Sequence, residues 1–162
     1  MSENLYALVL AGGRGARFWP LSRRSRPKQC VSLGGGPAAL VSTIGRLAPL
    51  IPRERILIAT GREMEAAVRE LLPDVPSENF IVEPWGRNTA PCIGLGAVEI
   101  GRRSPDAVMA VFPSDHQVDD GEALRSVVAG AADAAKATNA FVTIGVEPTR
   151  PETGFGYVEI GP

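Results

Sequence analysis

Histidine occurs once and cysteine twice in these 162 residues. Cys30 and Cys92 lie far apart and show no metal-ligand spacing, so neither a disulfide framework nor a cysteine-based metal site is expected. Two cysteines in a chain of this size suit a reduced, cytoplasmic protein. A single His116 leaves no His-carboxylate or Ser-His constellation, and a lone His is more often an orienting or packing residue than a base. No apolar run is long enough to span a bilayer. The opening Met1-Ser2-Glu3-Asn4 lacks the basic and apolar regions of a signal peptide. Net charge is −1, so no global field draws the chain to nucleic acid or membrane. Hydrophobic residues make up 44% and charged residues 22%, the balance of one soluble globular domain. The 18 glycines and 14 prolines are scattered, marking turns and not a disordered tract.

Short apolar runs recur between helical patterns. Leu5–Ala11 (LYALVLA) is continuous and suits a strand buried on both faces. Further strands are expected at Arg55–Thr60, Asn79–Glu83, Ala107–Phe112 and Ala140–Gly145. Met64, Ala67, Val68, Leu71 and Leu72 follow the spacing of an amphipathic helix. Leu124, Val127, Val128, Ala131, Ala132 and Ala135 do the same over three turns. Asn88 or Thr89 is placed to cap a helix that tolerates Pro91 in its first turn and runs to about Arg103. Alternating strands and helices predict an α/β, Rossmann-like, mostly parallel sheet with helices on both faces. Ligands in such sheets sit beyond the carboxyl ends of the strands, which directs attention to the loops after Ala11, Glu83 and Phe112.

Residues 12–28 read GGRGARFWPLSRRSRPK. Glycines directly after a buried strand let backbone amides approach a phosphate closely. Arg14, Arg17, Arg23, Arg24, Arg26 and Lys28 supply six positive charges with no acidic residue among them, as a polyphosphate requires. No Gly-Lys-Ser/Thr follows, so this is not a Walker A loop, and Phe18 stands where a dinucleotide fingerprint needs Gly. A tight turn with solvated arginines is the plainer reading. The second loop, Glu83-Pro84-Trp85-Gly86-Arg87-Asn88-Thr89-Ala90-Pro91, joins a strand to a helix N-terminus, and its Asn88 taken alone reads first as a simple cap and only second as a contact to a purine edge. The third, Pro113-Ser114-Asp115-His116, delivers a carboxylate at a strand end, where it serves as a turn residue or as a ligand for Mg²⁺.

Taken whole, these strings are more specific than their parts. Leu10-Ala11-Gly12-Gly13-x-Gly15-Ala16-Arg17, nine residues, then Pro27-Lys28 resembles the signature of sugar-1-phosphate nucleotidyltransferases. Phe18-Trp19-Pro20-Leu21-Ser22-Arg23, the Glu-Pro-x-x-Arg-Asn-Thr-Ala-Pro string, Pro-x-Asp-His, and Pro148-Thr149-Arg150-Pro151-Glu152-Thr153-Gly154-Phe155-Gly156-Tyr157 are similar to the mannose-1-phosphate guanylyltransferase branch. Ala16 stands where the family usually has Thr or Ser, and Phe155 where Tyr is usual.

The resemblance implies transfer of GMP from GTP to mannose 1-phosphate. It implies nucleotide contacts from Leu10, Ala11, Gly12, Gly13 and Gly15, and from Asn88, Thr89 and Ala90. Arg17 would hold the leaving pyrophosphate, Lys28 would bridge the phosphates, and Asp115 would bind Mg²⁺. Gly156 and Tyr157 would line the sugar side. Glu83 is added on chemical grounds, because guanine offers an N1–H and an amino group to a carboxylate. A homo-oligomer is compatible with all of this, and nucleic acid and membrane are not expected partners. The resemblance covers only the first part of the family's catalytic domain. Tyr157–Ile160 also reads as a short alternating strand with no partner after it, so residues 1–162 are expected to be a truncated domain. A nucleotidyltransferase for another sugar 1-phosphate, and a non-catalytic nucleotide-binding fragment or regulatory subunit, are the alternatives.

Overall fold

The computed structural model describes residues 4–13, 31–32, 35–86 and 88–161. Four strands, β1 (Leu5–Leu10), β2 (Ile56–Gly61), β3 (Phe80–Glu83) and β4 (Val108–Pro113), form one sheet in the order β3-β2-β1-β4. Every pairing is parallel. The register sets Leu8 beside Leu57 and Val111, and Leu10 beside Pro113. Gly61 stands beside Glu83. The ends of all four strands thus share one rim.

The continuous apolar run of β1 follows from its central position. Leu5, Ala7, Val9 and Ala11 join one core cluster with Leu40, Ile44, Val68, Val128 and Ala132. Leu8, between them in sequence, joins a second with Leu57, Ala59, Cys92 and Ile100. Successive strand side chains point to opposite faces, so α1 (Ala39–Leu47), α2 (Glu65–Leu71) and α4 (Gly121–Thr138) cover one face and α3 (Thr89–Arg103) the other. Burying each Leu or Ile of this core contributes about 1.5–3 kcal/mol.

α3 lies close on the sheet because Gly96 carries no side chain. A Cβ there would stand 2.5 Å from Leu8 Cδ2. The far end of α3 is held by Asn79, which is 1% exposed. Its amide nitrogen donates to the carbonyls of Arg53, Glu54 and Ile56 at 3.1–3.2 Å, and its Oδ1 accepts from Arg103 Nη1 at 2.6 Å. One side chain therefore ties the starts of β2 and β3 to the last turn of α3. At α4, Asp120 accepts from the amides of Glu122 and Ala123, the expected capping of two otherwise unpaired donors.

Two expectations fail. Ala140–Gly145 and Tyr157–Ile160 form no strand. A strand needs a neighbour's ladder to satisfy its amides and carbonyls, and neither stretch pairs with the described sheet. Phe141, Val146 and Ile160 are more than 85% exposed, so apolar character here reflects no core. α1 was not among the helices expected. Among the described residues no helix is long and apolar enough to cross a membrane.

Candidate active site

The carboxyl rim of β1, β2 and β3 opens into a cavity of about 650 Å³, within the size range of small-molecule sites. Leu10, Gly12 and Gly13 line it from β1, Gly61 to Met64 from β2, and Glu83 to Gly86 from β3. Asn88, Thr89 and Cys92 close it from the first turn of α3. Its place follows from the topology. The chain runs outward from β1 through β2 to β3, then crosses back by α3 to β4 on the other side of β1. Strand order reverses between β1 and β4, and the cavity lies on the β2 and β3 side of that point, at the carboxyl ends where ligands of open parallel sheets bind.

β1 is extended one residue beyond its ladder before the glycines begin. The Ala11 amide donates to the Ala59 carbonyl at 2.7 Å, and the buried Thr60 hydroxyl donates to the Ala11 carbonyl at 3.3 Å. Ala11 is thereby fixed and buried, and Gly12 and Gly13 emerge from it at the cavity wall. Gly13 has φ 99°, a conformation that favours glycine. At the end of β3, the Glu83 carbonyl accepts from the Arg62 amide at 3.3 Å, joining the loops after β2 and β3.

Glu83 is only 7% exposed, yet it lines the cavity. Its Oε2 lies 3.9 Å from where a Cβ on Gly12 would stand, so the carboxylate rests against the bare glycine backbone. A buried carboxylate is costly unless donors reach it. Burial first, then the nearby Glu83 charge and a hydrogen bond to it, push the Cys92 thiol up to about 12. Trp85 stands 75% exposed on the rim.

Asn88 occupies the N-cap position of α3, but its side chain caps nothing. Its backbone has φ 67° and ψ −170°, a region that is essentially glycine's and costs a non-glycine residue about 1–3 kcal/mol. The free amides of the first turn of α3, a helix of 15 residues, therefore face the cavity end with no side-chain cap from Asn88.

The structure thus brings Leu10, Gly12, Gly13, Glu83, Asn88 and Thr89 to one cavity. Ala11 lies beneath it, and Ala90 is exposed just beyond Thr89. Asp115 follows β4 at the same rim, two residues past Pro113, which pairs with Leu10. It is half-buried and engaged in an interaction of its own, and it does not line the cavity. Gly156 and Tyr157 are exposed and away from the cavity lining. The Tyr157 hydroxyl donates to the Glu152 carbonyl and accepts from the Glu152 amide. Gly15, Arg17 and Lys28 lie outside the described residues. Sequence reasoning missed Gly61 at the end of β2, Arg62, Glu63 and Met64 after it and, in the first turn of α3, Cys92. The signal for Cys92 was its place in the first turn of a helix already assigned to the site.

The family model described as nucleotidyl transferase matches residues 6–162. This chain belongs to the nucleotidyl transferase family. Among its relatives, the Escherichia coli K12 mannose-1-phosphate guanylyltransferase is 41% identical over 162 residues, covering 98% of this chain and 34% of that protein. The Xanthomonas campestris xanthan biosynthesis protein XanB is 41% identical over 160 residues, with the same coverage of each chain. A Thermus thermophilus crystal structure, described as a mannose-1-phosphate geranyltransferase, superposes with a TM-score of 0.72 at 43% identity, covering 82% of this chain and 38% of that one. The chain spans about a third of the length of the curated relatives it matches.

Proposed function

We propose that this chain carries the nucleotide half of a site that transfers GMP from GTP to mannose 1-phosphate, releasing pyrophosphate. The observation that supports it most is the convergence of the glycine loop and the Glu83–Thr89 loop on one cavity at the carboxyl ends of β1, β2 and β3. Likeness to the Escherichia coli guanylyltransferase supports the choice of sugar phosphate.

Guanine suits Glu83. An ionised carboxylate only accepts, and guanine's N1–H and 2-amino group only donate along that edge, whereas adenine's N1 is an acceptor. Gly12 and Gly13 bring backbone amides to the ribose and phosphates with no Cβ in the way. The α3 N-terminus adds unpaired amides on the same cavity.

The sugar phosphate attacks the α-phosphorus in line. Its second pKa is about 6, as for other phosphomonoesters, so it is ionised at neutral pH and needs no general base. The barrier is the approach of two polyanions, which alignment and opposing charge overcome. Lys28 neutralises charge across the phosphates and Arg17 holds the departing pyrophosphate. A Mg²⁺ ion is held through one or two carboxylates together with phosphate oxygens. Asp115 at the rim of β4 fits that need as a single protein ligand, and the ion would supply further positive charge to the triphosphate.

Pyrophosphate release by the whole gene product, with GTP, UTP and dTTP offered against several sugar 1-phosphates, tests the reading. GTP with mannose 1-phosphate should be preferred. Lys28→Ala and Arg17→Ala should each lower turnover by about 100-fold or more with the fold intact. Unchanged rates in both variants would remove these residues from the mechanism.

A further inference from the structure

Asp115 stands in a turn between β4 and α4, where neither a ladder nor a helix fixes its backbone. α1 does so instead. Thr43 and Arg46, three residues apart on α1, are neighbours on one face of that helix. Arg46 Nη2 donates to the His116 carbonyl at 2.8 Å and to the Thr43 hydroxyl at 3.0 Å. The Thr43 oxygen also stands 3.5 Å from the Ser114 carbonyl, a long contact beside its bond to Ala39. The carbonyls on both sides of Asp115 therefore meet one pair of side chains. Ser114 and Thr43 are both buried.

Arg46 is itself held in place. Its Cγ lies 3.6 Å from where a Cβ on Gly121 would stand, so its stem runs close along the start of α4. Arg125 Nη1 donates to the Arg46 carbonyl at 3.1 Å. Among the described residues Arg46 pairs with no carboxylate, and its Nε is buried without a hydrogen-bond partner. A donor buried in that way is destabilising, so packing alone would favour an apolar side chain here. We propose that Arg46 is a positioning residue for Asp115: with Thr43 it clamps the backbone on either side of that aspartate, so that the carboxylate is already placed when a triphosphate brings a divalent cation. The inference rests on the reading of Asp115 as the Mg²⁺ ligand given above. A ligand residue fixed beforehand loses less freedom on binding, and groups that hold such residues strengthen the site without touching the ion.

GTP binding to the whole gene product, by titration calorimetry with and without Mg²⁺, tests the proposal, because the ratio of the two affinities isolates the contribution of the metal. Mg²⁺ should tighten GTP binding to the wild type, and Asp115→Asn should remove most of that gain. Arg46→Met keeps an apolar stem and loses the donors. It should cut the gain by about three- to tenfold, the value of one hydrogen bond, and leave metal-free GTP affinity within about twofold. Arg46→Lys restores a donor and should fall between Met and wild type. Thr43→Val keeps the shape and the arginine, frees Nη2 from α1, and should cut the gain by about threefold, so it carries the test if Arg46→Met does not fold. The double variant should lose no more than Arg46→Met alone, since both changes act on one clamp. Losing a positive charge without losing a clamp would draw Mg²⁺ in more tightly. A larger gain in Arg46→Met therefore overturns the proposal. So do additive losses in the double variant, or an equal fall with and without the metal, which marks loosened packing. If Asp115→Asn abolishes the gain while the Arg46 and Thr43 variants keep it, the Asp115 reading stands and the clamp falls. An Asp115→Asn protein that keeps the full gain, or a wild type that shows none, sinks both.

Discussion

Asn88 stores strain where the cavity begins. With φ 67° and ψ −170°, it occupies a region that glycine enters without cost. Asn88→Gly should therefore raise stability, by about 0.5–2 kcal/mol once glycine's extra unfolded-state entropy is subtracted. The same change deletes the side-chain amide, and nucleotide affinity should fall about tenfold. Thermal melting and nucleotide titration on one variant check both signs, and a loss of stability would show that the amide is structural. Cys92 gives a second test at this scale. Its pKa is raised from 9.0 to about 12 in the fold, so the folded state holds the proton more tightly than the unfolded chain does. Its contribution is complete below about 9 and is lost as pH rises toward 12. Melting temperatures across that window should fall more steeply for wild type than for Cys92→Ala. Asn88 was legible in the sequence as a cap or a ligand contact. The geometry excludes capping by its side chain, and no residue pattern encodes a positive φ for asparagine.

α3 shows how an element carries the site, because its first turn lines the cavity while its middle rests on β1. Gly96 sets the spacing. Gly96→Ala would place a methyl 2.5 Å from Leu8 Cδ2, and Leu8 is fully buried. The overpacking should cost about 1–3 kcal/mol even though alanine favours helix by about 1 kcal/mol. Urea unfolding measures the first effect. Weaker nucleotide binding would register a displaced first turn carrying Thr89 and Cys92, and a stabilised variant would mean that Leu8 moves aside freely. The period of the apolar residues made α2 and α4 legible, the cap candidates Asn88 and Thr89 with Pro91 marked α3, and uninterrupted runs did the same for β1 to β4. α1 escaped although Leu40, Thr43, Ile44 and Leu47 have helical spacing and are all buried. Its run is short, follows Gly35-Gly36-Pro37, contains Gly45, and gives a buried position to a threonine. That threonine is satisfied locally, donating to the Ala39 carbonyl at 3.0 Å.

Across the whole molecule, the apolar runs separate into two physical kinds that look alike in sequence. LYALVL and AFVTIG have similar composition. The first is central in a sheet, paired on both sides and buried. The second has no ladder, and every residue from 141 to 161 except Glu152 is exposed. Composition reports what a segment would gain by burial, and only topology reports whether a neighbour is there to bury it. If that distinction is right, residues 141–162 contribute almost nothing to the stability of the four-stranded unit. Deleting them should leave the urea midpoint within the equivalent of about 0.5 kcal/mol, as for surface changes away from any packed feature. The shortened chain should also be more soluble, because exposed apolar side chains such as Phe141, Val146, Phe155, Val158 and Ile160 are removed from water-facing surface. Denaturant titration with light scattering measures both quantities. A large drop in midpoint would mean that this segment folds onto the sheet in solution, and that the apolar run from Ala140 signalled a strand after all.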